Sequence, residues 1–446
     1  MTISRREFAR AAAGALVGTV VPRAPDQGAR PRPSPSQLAW QEDELAVFLH
    51  FGVNTFTDRE WGDGREDPAI FSPSALDARQ WARSARSAGA RAMILTAKHH
   101  DGFCLWPTRT TAHSVAASPF RSGQGDVVRE FTDACRAEGL KAGLYLSPWD
   151  RNSPAYGDSP RYNDLYAAQL TELLTRYGPI AEVWFDGANG EGPNGKRQTY
   201  DWPRVFDLVR RLQPSAVMFS DAGPDLRWCG NESGTAGDPN WSTVNPDVVP
   251  FPGADSPEIK NELQHGDPAG SVWRPAEVDV SIRPGWFHHP AEDDRVRSVD
   301  NLVGLYFSSV GRNGKLLLNV PPTRDGLLHP TDVARLTGFR SVLTSTLGSS
   351  RVSFVNRAGS TEMTLDLPRS MTIRVARLEE NIARGQSVAR YALSGATDGG
   401  WQVLARGTTI GYAKLDRFAP VTVRRVRFAI EDSVGTPQAI AIKLYA

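Results

Sequence analysis

The 446 residues carry 51 Lys and Arg against 50 Asp and Glu, a formal charge of +1. That length accommodates one barrel-sized domain and a smaller one, and so even a balance gives no electrostatic case for a nucleic-acid partner. Three cysteines, Cys104, Cys135 and Cys229, are an odd number without metal-ligand spacing, so at most one disulfide can form and none is expected.

Ser4-Arg5-Arg6-Glu7-Phe8 carries a twin arginine, and the apolar run Ala11–Val21 and Pro22-Arg23-Ala24 follow it. This is the layout of a twin-arginine export signal over residues 1–24. The apolar run is too short to cross roughly 30 Å of hydrocarbon, so no stable membrane anchor is expected. Export of a folded protein by this route implies a periplasmic or extracellular location. Residues 25–37 belong to a proline-rich, polar stretch and read as a disordered lead-in.

From residue 44 short apolar runs alternate with longer amphipathic stretches, as in an α/β barrel or layered sheet. Leu45–Phe51 predicts a first strand, Trp81 to Ala90 the end of a helix stopping near Gly89, and Ala92–Thr96 a second strand. A helix over Val127–Cys135 and a strand over Lys141–Ser147 come next. Tyr162, Leu165, Tyr166, Leu170, Leu173, Leu174 and Tyr177 share one helical stripe. Val183-Trp184-Phe185 is a short buried strand, Val205–Leu212 a helix with Pro203 near its first turn, and Ala216–Ser220 a fifth strand. Residues 221–275 are too long for a simple connection and include a weak sixth strand near Arg227–Cys229. Glu277–Ile282 and Lys315–Val320 complete eight strands, with helices over Val299–Val310 and Asp332–Leu347. The expected fold class is α/β, a (β/α)8-like TIM barrel over residues 38–347. Beyond it the period changes to 2 or to short apolar runs (Met363–Leu367, Met371–Val375, Trp401–Ala405, Val421–Ile430, Ala439–Tyr445), which predicts a C-terminal β-sandwich over residues 348–446.

Asp186 ends the fourth strand, and Gly187, Asn189 and Gly190 open a loop after it. A carboxylate held by a rigid strand at a barrel mouth is well placed for catalysis. The plainer reading is that Asp186 begins a turn or caps a helix. Other polar and aromatic residues gather at the same ends: His50-Phe51-Gly52, Glu60-Trp61, Lys98-His99-His100-Asp101-Gly102-Phe103, Tyr145, Trp184, Trp228, Gly230-Asn231-Glu232, and Glu277 and Asp279 with Arg283-Pro284-Gly285-Trp286-Phe287. Histidines, carboxylates and tryptophans on one rim suit a sugar, whose apolar face stacks on rings while its hydroxyls take hydrogen bonds. Singly, each His reads as a satisfied structural group and each Trp as core.

Together with Gly143-Leu144-Tyr145-Leu146-Ser147, Trp184-Phe185-Asp186-Gly187 and Gly311-Arg312-Asn313-Gly314 through Leu318-Asn319-Val320-Pro321-Pro322, these motifs resemble the α-L-fucosidases of glycoside hydrolase family 29 over roughly residues 38–446. The resemblance implies a retaining exo-glycosidase with a barrel and a C-terminal β-sandwich, acting on fucosylated glycans without cofactor or metal. It implies Asp186 as nucleophile. His50, Glu60, Trp61, His99, His100 and Tyr145 would hold the fucose, with Trp184 and Glu277 as further substrate contacts and Trp286 near its apolar side. Gly230-Asn231-Glu232 and Ser281–Phe287 look like the branch preferring α-1,3/1,4-linked fucose, which makes Glu232 the acid/base and Glu277 the fallback. Because Glu232 lies in a Gly-rich loop, it is expected to move into place on substrate binding.

Two other readings compete. His99-His100-Asp101 invites a metal-dependent hydrolase, but zinc wants three protein ligands, adjacent histidines on a strand point to opposite sides, and neither HxH nor HExxH is present. A non-catalytic fucose-binding protein would use the sandwich as a lectin-like module, against which Asp186 and two candidate acids argue. A fucosidase of broad linkage range is the remaining alternative.

Overall fold

The computed structural model describes residues 30–446; the expected export signal lies outside the described residues. Eight parallel strands form the barrel: β1 (Leu45–Leu49), β2 (Ala92–Lys98), β3 (Lys141–Leu146), β4 (Glu182–Trp184), β5 (Val217–Phe219), β6 (Arg227–Trp228), β7 (Ala276–Ser281) and β8 (Lys315–Asn319). Hydrogen bonds run in the order β5-β4-β3-β2-β1-β8-β7-β6, and a single parallel bridge, Phe219 to Leu226, nearly closes the ring. All eight predicted strands are present, including the weak sixth, which is only two residues long.

The helices around the barrel begin where short polar side chains can satisfy free N–H groups. Asp77 caps α2 (Ala78–Ala88), Asp126 caps α3 (Val127–Glu138), Asp201 caps α5 (Trp202–Leu212) and Ser298 caps α7 (Val299–Ser309). Gly89 and Gly139 end α2 and α3 with φ of +95° and +69°, a conformation that L side chains avoid. The long stripe from Tyr162 becomes α4 (Ser159–Arg176), and Pro330–Leu347 is α8.

The described part of the lead-in, from residue 30, is a correction. Ser34 and Gln37 form a reciprocal capping box that starts helix α1 (Pro35–Gln41), with proline in its first turn where no N–H is lost. Gln37 Nε2 donates to the carbonyls of Asp225 and Trp273, and Arg30 Nε donates to the Gln386 carbonyl. Pro35, part of the run that reads as disorder, is placed to begin a helix on the N-terminal side of the barrel.

The irregular segment 221–275 contains β6, a small antiparallel pair (Thr243–Val244 with Val272–Trp273) and helix α6 (Pro257–His265). Its tip returns to the barrel mouth, where the Gly253 N–H donates to Asp221 just past β5.

After α8 the chain becomes antiparallel: β9 (Val352–Asn356), β10 (Glu362–Glu380), β11 (Val388–Thr397), β12 (Gly400–Gly407), β13 (Lys414–Ser433) and β14 (Ile440–Tyr445). Their order is β9-β14-β10-β13-β11-β12, one continuous sheet. Two runs expected as separate strands merge into β10, whose pairing with β13 shifts register between Asp366 and Met371. Such irregularities bend long strands, and the bent sheet encloses its own core around Phe354, Ile373, Val423, Phe428 and Ile442. The three cysteines are free and buried.

Candidate active site

Asp186 lies just beyond β4, and its two oxygens do different work. Oδ1 accepts the Ala188 N–H at 2.7 Å, which is the turn foreseen by the plainer reading. Oδ2 accepts the Tyr145 hydroxyl at 3.1 Å and sits 3.9 Å from His100 Nε2. Burial, with the Asp186 charge beside it, pushes the Tyr145 phenol well above its usual range, so Tyr145 remains a donor.

Three histidines cluster around this carboxylate. The rings of His50 and His99 are 5.5 Å apart and those of His99 and His100 only 4.1 Å. The expectation that adjacent histidines diverge is corrected: β2 ends at Lys98, so His99 and His100 lie in a turn where strand alternation no longer applies. The tautomers of two follow from their partners. Ser147 Oγ spends its proton on the Trp149 carbonyl and therefore accepts from His100 Nδ1, leaving Nε2 as an acceptor in the neutral ring. Asn319 Nδ2 donates to Ser281 Oγ and the Trp286 carbonyl, so its Oδ1 accepts from His50 Nδ1. Burial lowers the pKa of all three rings, that of His50 to about 4, so they are neutral near pH 7. Neutral imidazoles beside a carboxylate form a lining that accepts hydroxyl protons.

Lys98, inside the same motif, faces away from this cluster. Its ammonium is buried against Asp150, the Tyr162 hydroxyl and Gln169 Oε1, a fully paired network supporting the turn.

Glu60 is partly exposed at the mouth and is also held by protein. Its carboxylate accepts the N–H groups of Trp286 and Phe287 and a hydrogen bond from His289 Nε2. Burial pulls the His289 pKa down, but hydrogen bonds to Glu60 and Asp58 outweigh it and raise the value. Glu60 thus fixes the loop carrying Trp286, whose ring lies 5.1 Å from that of His50. Trp61 is 56 % exposed and stands edge-on to His100 and Trp149, an open aromatic face at the mouth.

Glu232 and Asp186 line one cavity of about 390 Å³, together with Trp184, Trp228, Asp221 and Asp279. Burial raises the Glu232 pKa; the Trp286 indole hydrogen bond opposes this, and the charges of Asp186 and Glu60 add to it. Beside Glu232, Asn231 Nδ2 donates to Thr235 O and Gln264 Oε1.

Glu277 is a further correction. It is fully buried, does not line that cavity, and accepts the Trp184 indole N–H at 3.0 Å from within the barrel. The carboxyl that β7 delivers to the rim is Asp279, two residues on, which accepts the Trp228 indole N–H at 2.8 Å. Burial and then the Glu232 charge push Asp279 well above the ordinary carboxyl range. The signal was the period of two: Glu277 and Asp279 face the same side, and the later one is nearer the C-terminal end. Asp221, which the sequence reading does not single out, is raised to about 6 by burial and takes part in the same cavity. Among the described residues no three His, Cys, Asp or Glu side chains are grouped to hold a metal ion.

A family profile described as alpha-L-fucosidase matches residues 66–344. Alpha-L-fucosidase 1 of Arabidopsis thaliana is 41% identical over 445 residues, covering 92% of this chain and 86% of its own. Among solved structures, a glycoside hydrolase 29 family member from an unknown rumen bacterium is 40% identical with a TM-score of 0.86, over 94% of this chain and 78% of that one. A Ruminococcus gnavus GH29 fucosidase in complex with fucose is 29% identical with a TM-score of 0.83, over 94% and 96%. With matches of this extent on a barrel and an antiparallel sheet domain of the same architecture, the chain belongs to glycoside hydrolase family 29, the α-L-fucosidases.

Proposed function

We propose that the protein is an exo-acting, retaining enzyme that removes terminal α-1,3/1,4-linked L-fucose from glycans by double displacement. The observation that carries this reading is the unlike pair of carboxyls in one cavity, Asp186 beside neutral donors and Glu232 raised by burial. Asp186 attacks the anomeric carbon while Glu232, protonated, gives its proton to the departing glycosidic oxygen. The same Glu232 then takes a proton from the water that opens the covalent fucosyl-enzyme. His50, His99, His100 and Tyr145 hold the hydroxyls, and Trp61 and Trp286 offer ring faces to the sugar. Support for the linkage comes from Gly230-Asn231-Glu232 and Ser281–Phe287, which resemble the α-1,3/1,4 branch.

The test is hydrolysis of a Lewis-type α-1,3/1,4-fucosylated trisaccharide beside an α-1,2-fucosylated one. Wild type, Asp186→Ala and Glu232→Ala are compared, each variant with added azide. Fucose is expected from the Lewis sugar alone, with azide products of opposite anomeric form from the two variants. Equal release from both sugars would remove the linkage assignment, and azide rescue giving one anomer throughout would remove the assigned roles.

The twin arginine at Arg5-Arg6 supports export as a folded protein to the periplasm or beyond. Replacing both with Lys should leave the activity inside the cell, whereas unchanged export would refute the route.

A further inference from the structure

Beneath the sugar site, one layer of the barrel interior holds three charged side chains, Glu182 on β4, Glu277 on β7 and Lys315 on β8, none more than 2 % exposed. Glu182 Oε2 accepts from Trp40 Nε1 at 2.8 Å and from Lys315 Nζ at 3.3 Å. Glu277 Oε2 accepts from Trp184 Nε1 at 3.0 Å. The other oxygen of each, Glu182 Oε1 and Glu277 Oε1, is buried without a protein donor, although the two side chains are within hydrogen-bonding reach of each other.

Two carboxylate oxygens cannot bond to one another unless one carries a proton. With both groups ionised, one Lys would leave an uncompensated negative charge in the barrel core, which costs several kcal/mol. A single proton removes that charge and gives both orphan oxygens a partner. Burial, followed by the Glu182 charge, drives Glu277 well above the ordinary carboxyl range, with Lys315 opposing. The other charge reaching this layer is Asp43, which acts on Lys315 from the barrel's N-terminal side. A cavity of about 570 Å³ on that side is lined by Glu182, Lys315 and Trp40, so protons can reach the pair without crossing the active site.

We infer that Glu277 and Glu182 share one proton, and that Glu277 is thereby a positioning residue holding the Trp184 indole in the wall beside Asp186. Trp184 transmits the effect: it packs against Phe48 and Tyr145, stacks on Phe219 at 4.1 Å, and lines the cavity with Asp186 and Glu232. The positioning role rests on the function proposed above; the shared proton does not.

The experiment compares the full chain with Glu277→Gln and Glu277→Leu. Asp279 and Glu232 keep acid bands of their own, so the reading is the wild-type-minus-variant infrared difference at neutral pH, which should contain one carboxylic acid carbonyl stretch for each variant. Gln offers an oxygen to Trp184 and an N–H to Glu182, as the protonated acid does. Glu277→Gln should therefore keep the melting temperature and lie within about threefold of wild-type kcat/KM, while Glu277→Leu raises KM about tenfold with kcat changed less. A difference spectrum without that band, or a Gln variant as unstable as the Leu one, would overturn the shared proton. Equal KM values in the two variants would overturn the positioning role. Should Glu277→Leu fail to fold, a Gln variant with a KM raised tenfold or more refutes that role, and one near wild type upholds it. If the wild type released no fucose, the infrared band and the melting temperatures would still decide the proton.

Discussion

The Tyr145 hydroxyl donates to Asp186 Oδ2 at 3.1 Å, joining the ends of β3 and β4 across the mouth of the barrel. Because the phenol is held protonated by burial and by the neighbouring carboxylate, this is a fixed donor to a charged acceptor. Such bonds are worth about 1.5–3 kcal/mol. Tyr145→Phe keeps the ring packing on Trp184 and His99 and removes only the bond. Its kcat for fucoside hydrolysis should fall roughly tenfold to a hundredfold, with a melting temperature lowered by about a few degrees. A variant with unchanged kcat would mean that the bond does not orient the attacking group.

Gly187 is where three chain segments meet. A Cβ there would lie 2.3 Å from Asp221 Oδ2 and 2.9 Å from the Gly253 nitrogen, so the loops after β4 and β5 and the tip of the long segment would have to part. Overpacking of this kind typically costs about 1–3 kcal/mol. Gly187→Ala should therefore lose most of its kcat/KM while remaining folded by circular dichroism, since the clash is at the rim and not in the core. Full activity would show that the loops shift freely.

Much of the barrel is legible because most strands are apolar runs and most helices a stripe, so two periods divide the chain. Glu277 and Asp279 show what periodicity leaves open. Both face inward, and only the depth along β7, set by its register with β8, decides which carboxyl is buried and which reaches the rim. Helix α1 was hidden because proline counts against order by composition, whereas position within the first turn decides its effect. His99 and His100 converge because β2 stops one residue before them, a boundary finer than sequence patterns resolve. The chemistry of Glu60 marks it as a ligand group, and its second task, holding backbone more than two hundred positions away, leaves no local signal.

Asn313, within the motif Gly311-Arg312-Asn313-Gly314, joins the barrel to the C-terminal sheet domain instead of contributing to the site. It adopts φ of +61°, which Asn tolerates better than most residues. Its amide donates to the Asn240 carbonyl and Ser242 Oγ, and its Oδ1 accepts the Tyr412 N–H at 2.7 Å. Asn313→Ala would strand buried partners and keep an unfavourable φ, for a loss of about 2–4 kcal/mol. Calorimetry should show a clear drop in melting temperature, while kcat of the folded protein stays near wild type. A melting temperature equal to wild type would contradict the structural role.

The indole of Trp286 bonds the Glu232 carboxylate, and that bond favours the charged form. It therefore opposes the rise that burial and the charges of Asp186 and Glu60 impose. Trp286→Phe keeps an aromatic ring near His50 but has no N–H to give, so the Glu232 pKa should rise further. A general acid with a higher pKa keeps its proton to higher pH, and the alkaline limb of kcat/KM should move upward. A limb that stays in place or moves down in Trp286→Phe would show that Glu232 is not the group whose deprotonation ends activity.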